Sequence, residues 1–328
     1  MKFLFLVWTA STMLTSAFPT VGFQKISVPD PQGRPLSVVI WFPSVGRAVS
    51  VQVGPFQQMV VPEGVISGQR LPVVLISHGT GGSAASHYDT ALALAGAGFF
   101  VVALTHTGDN YLDQSYAGNQ KDLTDRPRQV KIVLNYMLTT WPERDRLDAA
   151  RVGMFGFSLG GFTTLVEAGG TPDISRIREL CTQRPAAPEC RFIKERNGDQ
   201  LRPAVQTPVW SHDQRVKAAV LVAPAVSYVF GPGSLRDVKI PIQLWRGAND
   251  DQVPDEWNTA LVRKELPMPP QEHVVPGAGH YAFLPPCSEA LAQQTPQICT
   301  DIPSFDRSAF HRDFNSEIVA FFKKTLAA

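Results

Sequence analysis

The sequence Arg151-Val-Gly-Met-Phe-Gly-Phe-Ser-Leu-Gly-Gly161 joins a short apolar run to a segment with helical character, residues 162–168. Its centre has the pattern Gly-x-Ser-x-Gly around Ser158. Such glycines are needed where a strand turns sharply into a helix, because the neighbouring backbone leaves no room for a Cβ. The pattern predicts a nucleophilic Ser158 in a strained conformation, with the Leu159 N–H directed at a developing oxyanion. A glycine-rich turn with an incidental serine is the alternative interpretation.

A second loop that suits backbone contacts to a ligand follows the apolar run Leu71–Ser77. That run is typical of a strand buried on both faces of a parallel sheet. The loop, His78-Gly-Thr-Gly-Gly82, has little side-chain bulk, so its amides can approach a bound molecule. By its position after this strand, it is expected to provide a second oxyanion donor, the Thr80 N–H. A simple flexible turn is the other possibility.

An acid and a histidine follow later predicted strands in the order that a serine nucleophile needs. The strand Ile240–Trp245 is followed by a loop with Asp250 and Asp251, and residues 273–275 are followed by Gly279 and His280. The order serine, acid, histidine, each after a strand, predicts a Ser-His-Asp triad.

Strands alternate with helices along most of the chain, which predicts a mostly parallel sheet covered by helices on both faces. Open sheets of this kind place their sites at the carboxyl ends of the strands. The further predicted strands are residues 22–28, 35–42, 99–104 and 216–222, and the predicted helices are residues 84–97 and 125–137. Residues 44–70 are rich in Gly, Pro and Gln and are predicted to form a surface loop.

Residues 169–215 are charged and rich in proline, and they are too long for a simple connection. We interpret them as an insertion after the helix that follows Ser158. A lid over the site and a solvated decoration are both consistent with this position.

Composition and charge fit one large α/β domain. The chain has 328 residues, of which 44% are hydrophobic and 18% charged. The net charge is +1 and no run of basic residues occurs, so nucleic acid is not an expected partner.

The amino terminus has the features of a secretory signal peptide, predicted as residues 1–17 and followed by one large α/β domain, residues 18–328. Lys2 precedes the apolar run Phe3–Trp8, and small residues end the segment at Ala17. The run is too short to span a bilayer, so no membrane span is expected after cleavage, and the protein is predicted to be secreted or periplasmic. An uncleaved anchor or a buried first strand are the alternatives.

Four cysteines agree with export. Neighbours in sequence close the shortest loops, which favours the pairs Cys181–Cys190 and Cys287–Cys299. A zinc site would need closely spaced ligands that the sequence lacks, and free thiols remain the alternative for a cytosolic chain.

The motifs together resemble the dienelactone hydrolase branch of the α/β-hydrolases. The chain is most similar to the exported group of predicted dienelactone hydrolases related to platelet-activating-factor acetylhydrolases. The resemblance implies an α/β-hydrolase fold with an eight-stranded sheet and a carboxyl-terminal helix, here residues 310–326. The resemblance also implies an acid three residues after Gly247, which selects Asp250 as the triad acid rather than Asp251. True dienelactone hydrolases have cysteine where this chain has Ser158, which favours ordinary carboxylic esters over dienelactones.

The expected reaction is hydrolysis of a small or lipid-like carboxylic ester through an acyl-enzyme, with Ser158, His280 and Asp250 as the triad. This chemistry needs no cofactor or metal. An acyltransferase, a lactone or dienelactone hydrolase, and a non-catalytic binding protein are the rival functions. Of the other histidines, His106 is a candidate pocket residue and His273 is expected to be structural. The remaining ones, expected at the surface or in packing, are His87, His212 and His311.

Overall fold

A mixed β-sheet runs through the centre of the protein. The computed structural model describes residues 20–197, 208–210 and 212–327, so the predicted signal peptide lies outside the described residues. The strands in these ranges are β1 Thr20–Val28, β2 Leu36–Val45, β3 Val49–Val53, β4 Phe56–Pro62, β5 Val65–Ile66, β6 Leu71–Ser77, β7 Phe100–Thr105, β8 Leu147–Phe157, β9 Val216–Val222, β10 Ile242–Gly247 and β11 Gln271–Val275.

The strand order is β11-β10-β9-β8-β6-β7-β2-β1-β4-β3, with β5 paired to β2. Strands β6 to β11 pair with one another in parallel, whereas β2 is antiparallel to both β1 and β7. The carboxyl ends of β6, β8, β9, β10 and β11 therefore lie at one edge of the sheet. The prediction of a mostly parallel sheet with helices on both faces is confirmed.

The predicted surface loop at residues 44–70 is wrong. This segment forms β3, β4 and β5, which extend the predicted eight strands to eleven in the described part of the chain. In β4 the inward positions alternate, but one of them is Gln58, whose Oε1 accepts a hydrogen bond from Trp41 Nε1 at 2.8 Å. A buried glutamine at an inward position hides the alternation that would otherwise predict a strand.

Helices cover the sheet on both sides. Those within the described ranges are α1 Tyr88–Gly96, α2 Gln120–Thr139, α3 Leu159–Glu167, α4 Arg176–Gln183, α5 Pro188–Asn197, α6 Thr259–Glu265, α7 Glu289–Gln294, α8 Pro296–Cys299 and α9 Arg307–Thr325. Helix α2 begins five residues before the predicted start, because its first turn is polar and Asn119 caps it by accepting the Asp122 N–H at 3.2 Å. This early start brings Asp122 and Leu123 to the edge of the sheet that bears Ser158.

The strand before the glycine loop, β6, is buried on both faces of the sheet. In β6 the side chains of Val74 and Ile76 pack with α1 and α9, whereas those of Val73 and Leu75 pack with α2. All four are buried. Side chains of this size each stabilise the fold by about 1.5–3 kcal/mol when removed from water. The loop that follows β6 is thus anchored on a rigid strand.

Helices α4 and α5 come from the predicted insertion and contribute to a buried cluster that also contains side chains of α3. Leu180 and Ala187 belong to the same buried cluster as Phe162 and Leu165 of α3. A disulfide between Cys181 and Cys190 joins the two helices.

The second disulfide, Cys287–Cys299, joins the segment before α7 to α8. Both predicted cysteine pairs are confirmed. Among the helices that the structure describes, none is long and apolar enough to cross a bilayer. Within the same ranges, no group of three or more His, Cys, Asp and Glu side chains is arranged to hold a metal ion.

Candidate active site

Ser158 lies on the turn between β8 and α3 and has φ 53° and ψ −120°. The glycines around it are required by close backbone contacts. A Cβ on Gly156 would lie 2.1 Å from the Gly160 carbonyl oxygen, and a Cβ on Gly160 would lie 2.0 Å from the Ser77 carbonyl oxygen. No side chain can be accommodated at either position, so the sequence forces the sharp turn that presents the Ser158 hydroxyl.

The structure brings Ser158, His280 and Asp250 together. His280 Nε2 lies 3.0 Å from Ser158 Oγ, and His280 Nδ1 lies 2.7 Å from Asp250 Oδ2. An ionised carboxylate only accepts hydrogen bonds, so the imidazole donates from Nδ1 and leaves Nε2 as the acceptor for the serine hydroxyl. This is the tautomer in which a histidine can remove a proton from serine.

The adjacent acids Asp250 and Asp251 are placed differently. Asp250 is fixed by its second oxygen, since Oδ1 accepts the N–H groups of Gln252 at 3.0 Å and Val253 at 2.8 Å. Asp251 is exposed, and its carboxylate accepts a hydrogen bond from the Gln252 side chain at 3.1 Å. Of the two acids, it is Asp250 that contacts His280.

A cavity of about 470 Å³ opens beside Ser158. Thr80 and Leu159 line it together with Ser158 and His280, as the two predicted oxyanion donors require. Leu159 is the first residue of α3, where a backbone N–H has no carbonyl partner one turn earlier in its own helix.

A buried charge cluster, which we did not predict, holds the loop that contains Thr80. Arg126 of α2 donates from Nη1 to the His78 carbonyl at 2.8 Å and from Nη2 to the Gly79 carbonyl at 3.3 Å. Asp109 accepts from Arg126 Nη2 at 2.6 Å and from the Gly81 N–H at 2.8 Å. Arg126 and Asp109 therefore fix the backbone on both sides of Thr80.

The signals for this cluster were weak in the sequence. Asp122 and Arg126 are four residues apart and pair on one helix face at 3.1 Å, which is a pattern common on solvated helices. Nothing in the sequence shows that Asp109, in a loop after another strand, joins them. Although burial alone would raise the pKa of Asp109, the nearby Arg126 charge lowers it on balance.

His106, a candidate pocket residue, does not line the cavity. The ring is buried and bonded on both sides, to Ser77 Oγ at 2.9 Å and to Gln129 Oε1 at 2.8 Å. Its backbone N–H donates to His78 Nε2 at 3.0 Å. Burial lowers the pKa of His78 to about 3 and that of His106 well below its usual value, and the Arg126 charge acts in the same direction. Both rings are neutral supports for the glycine loop.

The other four histidines lie outside the cavity. His87 packs between Phe155 and Phe157, and burial lowers its pKa to about 3. His311 is buried and bonded to Asp89 at 2.6 Å. The remaining two are His273, which lies in β11 and stacks on Trp245, and His212, which is exposed.

The walls of the cavity come from several parts of the chain. Helix α5 contributes a mostly apolar side, and its Arg196 donates a hydrogen bond to Gln114, in the segment between β7 and α2.

Asp122 also lines the cavity. Burial raises the pKa of this carboxyl well above its usual value, and the neighbouring Asp109 raises it further, although the Arg126 charge lowers it. The apolar lining residues are Leu123, Leu159, Ile177, Phe192, Ile193, Val226, Val253 and Ile298.

Comparison with known proteins agrees with this architecture. A model of the alpha/beta hydrolase family matches residues 72–294, which is more than half of the chain. The protein therefore belongs to the α/β-hydrolase family. Among solved structures, a ferulic acid esterase from Streptomyces cinnamoneus is similar with a TM-score of 0.65 and 16% identity, over 95% of this chain and 92% of that one. At such low identity the likeness concerns the fold alone. The comparison with curated proteins gives no match.

Proposed function

We propose that the protein is a serine hydrolase that cleaves carboxylic esters through an acyl-enzyme, with Ser158, His280 and Asp250 as its triad. The observation that carries this proposal is the chain of contacts from Ser158 Oγ to His280 Nε2 at 3.0 Å and from His280 Nδ1 to Asp250 Oδ2 at 2.7 Å. All three side chains are buried, where charge interactions are strong, and Ser158 and His280 line the cavity. The esterase named above, which shares the fold, is consistent with this reaction class.

The proposed first step is acylation. Ser158 Oγ attacks the ester carbonyl carbon while His280 Nε2 takes the hydroxyl proton, and Asp250 stabilises the imidazolium that forms. The carbonyl oxygen becomes negatively charged and accepts hydrogen bonds from the Leu159 and Thr80 N–H groups. Each such donor typically stabilises the transition state by about 3 kcal/mol. The tetrahedral intermediate then expels the alcohol, which receives the proton from His280.

Deacylation repeats the same proton transfers with water in place of serine. His280 removes a proton from a water molecule, the water oxygen attacks the acyl carbon, and the Ser158–acyl bond breaks. The carboxylic acid leaves and the serine hydroxyl is restored.

The finer parts of the proposal concern substrate and location. Helices α4 and α5 cover the cavity, which supports a lid function for the insertion at residues 169–215. The similarity to dienelactone hydrolases, with serine in place of cysteine, supports ordinary esters as substrates. The signal-like residues 1–17 and the two disulfides support export.

The proposal is tested by labelling with a serine-reactive fluorophosphonate probe. We expect the wild type and the exposed-serine control Ser308→Ala to be labelled, and Ser158→Ala to remain unlabelled. Hydrolysis of nitrophenyl esters of increasing acyl length should fall by about 10⁵-fold or more in Ser158→Ala. Labelling that persists in Ser158→Ala would remove this residue from the proposed role. Acyl transfer to an added alcohol in preference to water would indicate an acyltransferase instead.

A further inference from the structure

Three buried polar atoms in the walls of the cavity have no hydrogen-bond partner among the described residues. They are Oδ2 of Asp122, whose other oxygen pairs with Arg126, and two atoms on another part of the wall, the hydroxyl of Tyr228 and Oε2 of Glu189. Tyr228 lies shortly after β9, close to Ala225, whose N–H donates to the Ser158 carbonyl at 3.0 Å. Glu189 lies on α5, and both residues line the same cavity as Ser158. Buried polar atoms are normally paired, so unpaired ones in a cavity indicate where a ligand can supply the partner.

The Tyr228 hydroxyl and Glu189 Oε2 are complementary in hydrogen-bonding character. Glu189 Oε1 already accepts from Trp257 Nε1 at 2.9 Å and from Asn258 Nδ2 at 2.8 Å, which leaves Oε2 as the open acceptor. Burial and, in addition, the neighbouring Glu189 charge raise the pKa of Tyr228, so its hydroxyl stays protonated and can donate. Glu189 and Tyr228 therefore present one open acceptor and one open donor.

A single side chain fixes this pair in position. Asn258 is buried, and while its Nδ2 donates to Glu189 Oε1, its Oδ1 accepts the Ser227 N–H at 3.0 Å. Ser227 directly precedes Tyr228 in a short 3-10 helix. The Asn258 amide thus ties the α5 carboxylate to the backbone that bears Tyr228. A site held in place before the ligand arrives loses less entropy on binding.

From these contacts we infer that the cavity binds esters that carry a free hydroxyl group, which donates to Glu189 Oε2 and accepts from the Tyr228 hydroxyl. A hydroxyl is a compact group with both a donor and an acceptor, as the pair requires. The apolar lining by Phe192, Ile193 and Val226 fits a hydrocarbon body between this hydroxyl and the ester. The inference rests on the proposed ester hydrolysis and adds a substrate class, namely esters of hydroxylated acids or of diols.

The experiment compares matched substrates with and without the hydroxyl. One series consists of nitrophenyl esters of ω-hydroxyalkanoic acids and of the corresponding alkanoic acids at increasing chain length. The other consists of monoacetates of diols and acetates of the corresponding alcohols. We expect kcat/KM of the wild type to be at least about tenfold higher for the hydroxylated member at one chain length. The series in which this occurs identifies the acyl or the alcohol side as the bound part.

Conservative variants locate the effect. Tyr228→Phe and Glu189→Gln should each bring the hydroxylated-to-plain ratio of kcat/KM close to one at that chain length. The controls Tyr111→Phe, at an exposed tyrosine, and Glu195→Gln, at an exposed glutamate of the same helix α5, should keep the wild-type ratio. Thermal unfolding checks that each variant folds. If one of the two site variants does not fold, the other variant and the wild-type ratio decide the question.

Two results would overturn the inference while leaving ester hydrolysis intact. One is a wild-type ratio close to one in both series at every length, which would mean that only water meets Tyr228 and Glu189. The other is a ratio that both site variants retain. By contrast, a protein that hydrolyses neither plain nor hydroxylated esters in a Ser158-dependent manner would contradict the proposed function itself.

Discussion

Arg126 and Asp109 form an ion pair at 2.6 Å whose side chains are 1% and 0% exposed, directly beneath the loop that contains Thr80. Buried pairs of this kind cost free energy to desolvate, so their retention calls for a role beyond stability. Here the pair contacts the carbonyls of His78 and Gly79 and the N–H of Gly81. Its role is to hold the peptide groups of the loop in one orientation.

The first prediction follows from that contact. Arg126→Lys keeps the charge but loses the planar fork that reaches two carbonyls and a carboxylate at once. If the Thr80 N–H loses its orientation, kcat for an ester should fall by about 10²–10³-fold, whereas KM changes little. Steady-state kinetics measure this split, and circular dichroism checks the fold. Arg128→Lys is the matched control, because Arg128 lies on the same helix as Arg126 but pairs with Asp30, away from the site. A folded Arg126→Lys protein with the kcat of the wild type would contradict the prediction.

A second prediction separates the two adjacent acids. Asp250→Asn should lower kcat by about 10⁴-fold, because an amide no longer holds the His280 tautomer that accepts the serine proton. Asp251→Asn should leave kcat within a factor of about two, since Asp251 is exposed and surface substitutions are usually mild. Parallel nitrophenyl ester assays of both variants test this. The reverse order of effects would identify Asp251 as the triad acid.

A third prediction concerns stability at alkaline pH. Glu167 of α3 is buried, and burial, assisted by the neighbouring Asp213 charge, raises its pKa from 4.5 to about 8. Between these two values the unfolded chain releases this proton and the folded protein keeps it. Stability therefore decreases as the pH rises from about 4.5 to about 8, by an amount on the order of a few kcal/mol. Glu167→Gln should remove this dependence.

The measurement for Glu167 is urea unfolding of the wild type and the variant at several pH values in this window. The exposed Glu289→Gln serves as the control and should retain the slope of the wild type. An unchanged slope in Glu167→Gln would mean that other groups cause the decrease.

A fourth prediction concerns the backbone at Ser158. Its φ of 53° and ψ of −120° are the mirror image of a common extended conformation, which glycine adopts without strain and alanine does not. Ser158→Gly should thus be more stable than Ser158→Ala by about 1 kcal/mol, although both are inactive. Thermal unfolding of the two variants gives the difference. Equal stability would show that the turn is not strained.

The sheet-edge position of the site was predictable, because strands with continuous apolar sequences can be recognised and their carboxyl ends meet at one edge. Ser158 follows such a strand, β8, whereas His280 follows the short strand β11, of which only the end, Val274 and Val275, is apolar. The long separation of Ser158 and His280 along the sequence did not prevent this prediction, because the sheet topology brings the loops that bear them together.

The unpredicted features depend on side-chain pairing between distant segments. Gln58 is buried in a strand, where its Oε1 accepts a hydrogen bond from the distant Trp41. Arg126 is buried because three segments supply acceptors for it. Neither hydrophobic periodicity nor a local motif contains this information, since both report only on neighbours along the chain.

The two disulfides, Cys181–Cys190 and Cys287–Cys299, span sequence separations of 9 and 12 residues and lie in different walls of the cavity. Neither of them joins one wall to the other. The helices that bear Cys181 and Cys299 are thus each braced internally, and no disulfide ties one to the other. Reduction of the disulfides would loosen the segments that they join, while the strands beneath Ser158 and His280 stay in place. The thiol-disulfide balance of the surroundings would then affect which substrates bind, with little influence on the bond-breaking step itself.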